Sequence, residues 1–262
     1  MPRISVITVV KDHSEGLELT HASLEHQTYP DWEQIIVVGS SNDRTLFTAK
    51  KIKSSDKRIV VIEQNGSGIY EAMNEGLQLA SGEYIWFMNA GDNFASEDVL
   101  AHSVSLMHKS GAGVVIGGYK IETRKQNRQY VFPSRDISDL RFAFNRRAGC
   151  HQAMIFRSDT IKDLGGFNTN YTLAGDFDLV IRVIQSTSAI RTSEIYASIE
   201  PGGRADQGIL LVHKQKHQIR RILLGGPFIF CGSLFWTALV WAKMFLRRIT
   251  RIKLNFQKNN LT

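Results

Sequence analysis

Residues 58–92 read RIVVIEQNGSGIYEAMNEGLQLASGEYIWFMNAGD. Arg58–Glu63 is a short β-branched run that reads as a strand. It breaks at Gln64-Asn65-Gly66-Ser67-Gly68, a string of turn formers. Ile69–Ala80 then reads as a helix. Glu83–Met88 is a second apolar run, and it ends at Asn89-Ala90-Gly91-Asp92. A strand, a helix and a strand joined by short loops predict two parallel strands with a right-handed crossover.

The same alternation runs upstream. Arg3–Val10 (RISVITVV) has no polar alternation and predicts a strand buried on both faces. Ser14–His26 carries Leu17, Leu19 and Leu24 among polar residues, compatible with a helix. Glu33–Val38 is a further strand, broken by Gly39-Ser40-Ser41-Asn42-Asp43, and Thr45–Lys53 reads as a helix. The pattern predicts an α/β fold, a mainly parallel sheet flanked by helices. Ligands of such sheets bind beyond the carboxyl ends of the strands. Val10, Gly39–Asp43 and Asn89–Asp92 therefore fall along one edge. Downstream the pattern loosens: Gly113–Tyr119, Arg128–Phe132 and Ala153–Phe156 read as strands. Asp176–Gln185 reads as a helix that buries Leu179, Val180, Val183 and Ile184. There is no internal repeat and no low-complexity stretch.

The 262 residues suit one large α/β domain with an appendage, or two small domains. With 43% hydrophobic and 22% charged residues, wholesale disorder is excluded. Cys150 and Cys231 lie far apart and provide neither a disulfide framework nor a four-thiolate zinc site, so a reducing compartment is expected. Ile4–Val10 is too short for a signal peptide and runs into Lys11 and Asp12. The net charge of +7 is split unevenly. Residues 1–206 hold 22 Lys/Arg against all 25 Asp/Glu, whereas residues 207–262 hold ten Lys/Arg and no acid. That split argues against nucleic-acid binding by the whole protein and for a local basic surface facing an anionic partner.

Asp92 closes the fourth strand beside a small residue and a glycine. A carboxylate there suits Mg²⁺ or Mn²⁺ held against phosphate oxygens, although Asn, Gly and Asp also make ordinary strand exits. Asp176 opens a helix, whose dipole favours the ionised form. That suits a general base, and it equally suits a cap. Asp178 and Arg182, four residues apart, match a helix-surface pair. His151 sits at a strand entrance, where a histidine is more often structural than a ligand. Pairing it with Cys150 as a nucleophile is rejected, because adjacent strand residues point to opposite faces. Pro201-Gly202-Gly203-Arg204 offers amides and a guanidinium to a phosphate, or forms a plain turn. No P-loop, GxGxxG, HExxH, GxSxG or CxxC motif is present.

Taken together, the segments resemble family-2 glycosyltransferases, inverting enzymes of the glycosyltransferase A-type fold. The likeness covers residues 3–205 in order, through ISVITVV, HASLEHQTYPDWEQIIVV, SNDRT, NGSGIYEAMNEGLQLASGEYIWFMNAGD, CHQAMIFRSD, GGFN, GDFDLVIR and PGG. The GIYEAMN and CHQA segments resemble an exopolysaccharide, colanic-acid-type branch. The resemblance implies a Rossmann-like catalytic domain over residues 1–206, with a donor half to about residue 110 and an acceptor half beyond it. It implies that Asp92 holds Mn²⁺ or Mg²⁺ on the diphosphate of a nucleotide sugar. It implies that Asp176 is the base that deprotonates the acceptor hydroxyl. Thr8, Val10, Ser41, Asp43, Gly68, Asn74, Asn89, Ala90 and Gly91 fall on the donor side, and His151, Gln152 and Arg204 on the acceptor side. Four positions depart from the pattern. Gly39 stands where an aspartate usually follows the second strand, Gly91 where an acid is common, and Gly175 where a glutamate precedes the catalytic aspartate. Arg204 follows the glycine pair where a small residue is commoner. A catalytically inactive sugar-nucleotide-binding or scaffold subunit is the rival reading; retention of Asp92 and Asp176 favours the enzyme.

Ile222–Ala242 is 21 residues without a charge, flanked by basic residues on both sides. Gly225, Gly226 and Pro227 interrupt its start and leave it short of the ~20 residues of a span. Residues 207–262 therefore read first as a basic, apolar helical appendage lying in an anionic membrane surface, with a true span and a packed or oligomerising helix as the alternatives. The expected setting is the cytoplasmic face of the inner membrane, peripheral or monotopic, with a lipid-linked saccharide as acceptor. A homo-oligomer is compatible with the sequence.

Overall fold

The computed structural model describes residues 3–123, 128–132, 150–202 and 208–225. The chain divides into two units, residues 1–207 and residues 208–262. In the first unit, β1 (Ile4–Val10), β2 (Trp32–Val38), β3 (Ile59–Glu63) and β4 (Tyr84–Phe87) alternate with α1 (Ser14–Glu25), α2 (Thr45–Ser55) and α3 (Ile69–Leu79). β1 pairs in parallel with β2 and β4, and β2 pairs in parallel with β3. All seven residues of β1 and of β2 are buried, including the polar Ser5, Thr8, Glu33 and Gln34 among their β-branched neighbours. Because β1 and β2 are in register up to Val10 and Val38, the loops that follow them open on the same edge.

Beyond β4 the sheet turns mixed. After β5 (Asn93–Phe94), α4 (Val99–Ser110), β6 (Val114–Thr123) and β7 (Arg128–Phe132), the chain returns as β8 (Met154–Arg157). β8 lies antiparallel between β4 and β6. Two helices follow, α5 (Ser158–Asp163) and α6 (Gly175–Ser186), and then β9 (Ala189–Ile199). β9 runs parallel to β6 and antiparallel to β5, giving the order β3-β2-β1-β4-β8-β6-β9-β5, with β7 paired to β6. α4, α5, β5 and β9 are additions to the sequence-based elements. Packed rings hold this half together: Trp86 meets Phe94 and Tyr196 at 5.1 and 5.5 Å between centroids.

At the amino ends of the strands, buried Glu33 accepts hydrogen bonds from the Ser5 hydroxyl (2.6 Å) and from the Ser81 backbone and hydroxyl (2.8 Å each). Burial alone would raise its carboxyl, but these bonds and the nearby Arg3 charge hold it below the usual range. The expected surface pair Asp178–Arg182 is instead an internal clamp. Asp178 is buried, and Arg182 donates to it at 2.7–2.8 Å and to the carbonyls of Leu164 and Gly166 at 2.9 and 2.8 Å. The guanidinium is thus consumed by the loop before α6. Ile184, assigned from sequence to the buried face, is only partly covered.

In the second unit, α7 (Ile209–Leu223) exposes Ile209, Leu210, Leu211 and Ile222 together with Lys214 and Arg221. Among the described residues, no helix is long and apolar enough to cross a membrane. The apolar stretch assigned to the membrane lies, from residue 226 onward, outside the described residues.

Candidate active site

The loop after β4 is shaped before its acid is placed. Met88 and Ala90 donate their backbone N–H groups to Ile7 and Val9, so the loop continues along β1. Gly91 then adopts φ +96°, a backbone open to glycine and rarely to other residues. Thr20 of α1 accepts from the Gly91 N–H at 3.0 Å and donates to the Asp92 carbonyl at 2.7 Å. Asp92 itself is 5% exposed. Its Oδ1 accepts from the Glu200 backbone at 2.9 Å and its Oδ2 from Gln152 Nε2 at 2.8 Å. Burial pushes its carboxyl up to about 6, against the pull of those two bonds.

Gln152 belongs to a 3₁₀ turn, His151–Ala153, that leads into β8. Its carbonyl accepts from Trp86 Nε1 at 2.8 Å, which ties the turn to β4. Its Oε1 accepts from the Cys150 thiol, whose pKa is raised by burial and then by the Asp92 charge. The thiol is therefore a neutral partner of Gln152 and no nucleophile paired with His151.

Asp176 is the second residue of α6, and its side chain is 33% exposed. Oδ1 accepts from the Phe177 N–H at 2.8 Å and from the Tyr70 hydroxyl at 3.4 Å. Oδ2 lies 3.7 Å from His151 Nδ1. Burial, and next the Asp176 charge, raise the Tyr70 pKa, so its hydroxyl stays a donor. The Tyr70 ring stacks on Phe167 at 5.2 Å, and Phe167 also meets Phe87 and His151 edge-on.

The structure gathers Asn89, Asp92, His151, Gln152 and Asp176 around one turn. Gln152 bonds Asp92, and His151 lies beside Asp176. The other residues expected on the donor side have the following surroundings. Thr8 is fully buried and accepts from Gln34 Nε2 at 3.0 Å. Asn74 is spent on Phe167, accepting from its N–H at 2.8 Å and donating to its carbonyl at 2.9 Å. Val10 is buried and accepts from the Gly39 N–H at 2.8 Å. Ser41 caps the neighbouring loop, accepting from Asp12 N–H at 3.1 Å and donating to the Gly39 carbonyl at 2.9 Å. Asp43 opens α2 through the Thr45 N–H at 2.9 Å, and its bonds to Thr45 hold its carboxyl below the usual range. Gly68 is the residue before α3, with its carbonyl held by Gln64 Nε2 at 2.7 Å. Ala90 stays partly exposed at the edge. Arg204 lies outside the described residues.

Two residues at the site carried no signal in the sequence. Glu200 follows β9 and sends its Oε2 to within 2.8 Å of His13 Nε2. A side chain at position 91 would collide with that carboxylate and with the His13 ring.

Residues 5–165 match the sequence profile of Glycosyl transferase family 2. The chain belongs to that family. A PGL/p-HBAD biosynthesis glycosyltransferase of Mycobacterium bovis is 27% identical over 190 residues, 72% of each chain. TuaG of Bacillus subtilis, a glycosyltransferase assigned to teichuronic acid biosynthesis, is 28% identical over 162 residues, 61% of this chain and 64% of its own. Among solved structures, residues 1–349 of S. aureus TarS superpose with a TM-score of 0.66 at 17% identity, covering 88% of this chain and 70% of TarS. The mannosyltransferase PcManGT of Pyrobaculum calidifontis, solved with GDP-Man and Mn²⁺, gives 0.64 at 16% identity, covering 97% and 81%. The fold is therefore of the glycosyltransferase A type, and the protein is a glycosyltransferase.

Two of this family-2 chain's four departures have a local cause. Gly91 yields its side-chain space to Glu200. Gly175 lies under the Tyr70 ring, which a Cβ would approach to 2.9 Å. A glutamate before Asp176 would displace the tyrosine that faces it.

Proposed function

We propose that this chain transfers a sugar, with inversion, from a nucleotide-diphosphate sugar to a lipid-linked saccharide in polysaccharide assembly, of exopolysaccharide type. The observation that carries the reading is the pair Asp92 and Asp176, set on opposite sides of the His151–Gln152 turn at the ligand edge of the sheet. The solved relatives with UDP-GlcNAc and with GDP-Man support a nucleotide-sugar donor.

Asp176 takes the proton of the acceptor hydroxyl as that oxygen attacks the anomeric carbon, and the diphosphate leaves from the opposite face. Its partial exposure lets the acceptor reach it. Asp92 is the group that would hold Mg²⁺ or Mn²⁺. Each of its oxygens accepts one N–H and keeps a second lone pair, a hard donor suited to either ion. Among the described residues no group of three or more His, Cys, Asp or Glu side chains would hold a metal by itself, so substrate oxygens and water must complete the shell. When bound, the ion supplies charge neutralisation on the departing diphosphate.

Residues 207–262 carry the enzyme to the cytoplasmic face of the inner membrane, as a peripheral or monotopic element. Support comes from ten basic residues without an acid and from the exposed leucines and isoleucines of α7 beside Lys214 and Arg221.

The test is a thermal-shift panel of UDP-, GDP- and dTDP-sugars with Mn²⁺, followed by transfer to lipid extracts. One donor class should raise the melting temperature, and chelator should cancel the rise. Asp92→Ala should lose the Mn²⁺-dependent shift. An undiminished shift in that variant would remove Asp92 from the site.

A further inference from the structure

The His151–Ala153 turn faces two ways, and only one of its contacts is closed. Gln152 gives its amide hydrogen to Asp92 at 2.8 Å. His151, 7% exposed, lies 3.7 Å through Nδ1 from Asp176 Oδ2 and 3.5 Å through Nε2 from Asn89 Nδ2. His151 Nδ1 and Asn89 Oδ1 are both buried without a hydrogen-bond partner. A buried orphan next to a carboxylate calls for an account.

Proton placement supplies one. An ionised Asp176 only accepts, so a bare Nδ1 would set two lone pairs against each other. A proton on Nδ1 turns that contact into attraction. It also leaves Nε2 bare, which is what the Asn89 amide hydrogen needs. Contacts of this kind are often long in an unliganded site and tighten when substrate binds. We propose that Asn89 fixes His151 as the Nδ1–H tautomer, and that His151 thereby acts as a positioning residue for Asp176. The proposal rests on the reading of Asp176 as the base. Tyr70 of α3 holds the other oxygen, and Phe167, wedged against both the Tyr70 and His151 rings, keeps the two donors apart. Among the described residues, the neutral Cys150 thiol, on the same turn as His151, also lies near Asp176. The turn thus places both acids at once: its histidine sets the base, and its glutamine sets the acid of the donor side.

The tautomer is read without substrate, by NMR of protein labelled with ¹⁵N-histidine, the His151 signals being those missing from His151→Asn. A protonated Nδ1 with a bare Nε2 is expected; a proton on Nε2 overturns the proposal. Kinetics use UDP-GlcNAc or GDP-mannose, whichever turns over, with Mn²⁺ and a lipid extract. His151→Leu should lower kcat by up to about 10²-fold, the scale of a misplaced reacting group, with donor KM unchanged. It should also move the acid limb of the kcat–pH profile upward, because the anionic base has lost a donor. His151→Asn, which keeps an N–H near the Nδ1 position, should regain part of both. Gln152→Met should show the opposite split, raising donor KM more than it lowers kcat. Wild-type kcat in His151→Leu beside an inactive Asp176→Asn overturns the positioning role alone. Full activity in Asp176→Asn overturns the base reading together with it.

Discussion

Asp92 and Asp176 flank the same turn in opposite surroundings. Asp92 is sealed, each oxygen fastened by an N–H, with its carboxyl pushed up to about 6 by burial. Asp176 stands at a helix N-terminus with a third of its side chain in solvent and longer contacts from Tyr70 and His151. Under the roles proposed for the two acids, the difference would separate two tasks. A group that holds an ion against a diphosphate profits from a fixed place in a dry site, where charge acts strongly. A group that must receive a proton from an arriving hydroxyl has to remain reachable.

The largest break in that contrast is Asp176→Asn. It keeps the shape and removes the proton acceptor, so transfer should fall by about 10²-fold or more while the donor-induced thermal shift survives. Near-normal turnover would show that Asp176 is only a cap. Next comes Gly91→Ala. The added methyl meets the Glu200 carboxylate in a backbone that disfavours side chains, and should cost about 1–3 kcal/mol by denaturant unfolding. Donor binding should weaken with it, since Glu200 also anchors Asp92. An unchanged unfolding midpoint would mean that the Glu200 side chain does not occupy that space.

Asp92→Asn sharpens the contrast in the opposite direction. A carboxyl raised in the folded state costs stability wherever it is charged in the fold, above pH ~6. The variant should therefore be more stable than the parent at pH 7 by about 1–3 kcal/mol, with Gln152 turning its amide over to accept from the new one. The gain should shrink as the pH falls from 6 towards 4. A loss of stability at pH 7 would show that the dry site costs nothing. The smallest effect belongs to Glu33, far from the site. Its carboxyl is lowered in the fold, so its contribution is present above the ordinary glutamate range and disappears as the pH falls through the folded value. Glu33→Gln should cost about 1 kcal/mol at pH 7, and the gap should close below pH ~4. A gap that persisted into acid would point to packing rather than charge.

The parallel half of the fold was open to reading because its information is local. Strand, loop and helix follow one another within a dozen residues, and the apolar residues of β1 and β2 announce the burial of their strands. Asp92 and Asp176 stood out for the same reason, each sitting at an element boundary. β9 and Glu200 did not. β9 takes its place from β6 and β5, partners distant in the chain, and Glu200 is one acid before a proline with no spacing to mark it. Thr8 and Asn74 are a third kind of case. Both lie near the ligand edge in sequence, but Gln34 and the Phe167 backbone claim their side chains, and no local pattern shows who a side chain's partner will be. Gly91 and Gly175 looked like losses of acid; each instead makes room for a neighbour.

The antiparallel seat of β8 beside β4 has a consequence for synthesis of the chain. Once residue 87 has emerged, β4 can join β1, but its other edge stays unpaired until residues 154–157 arrive. At the ~5–20 residues per second of translation, the nascent protein carries an open strand edge of Tyr84, Ile85, Trp86 and Phe87 for several seconds. An edge so apolar invites pairing with a neighbouring chain. Production should therefore depend on chaperones that cover this edge, and fragments ending before residue 154 should aggregate even though their parallel strands are complete.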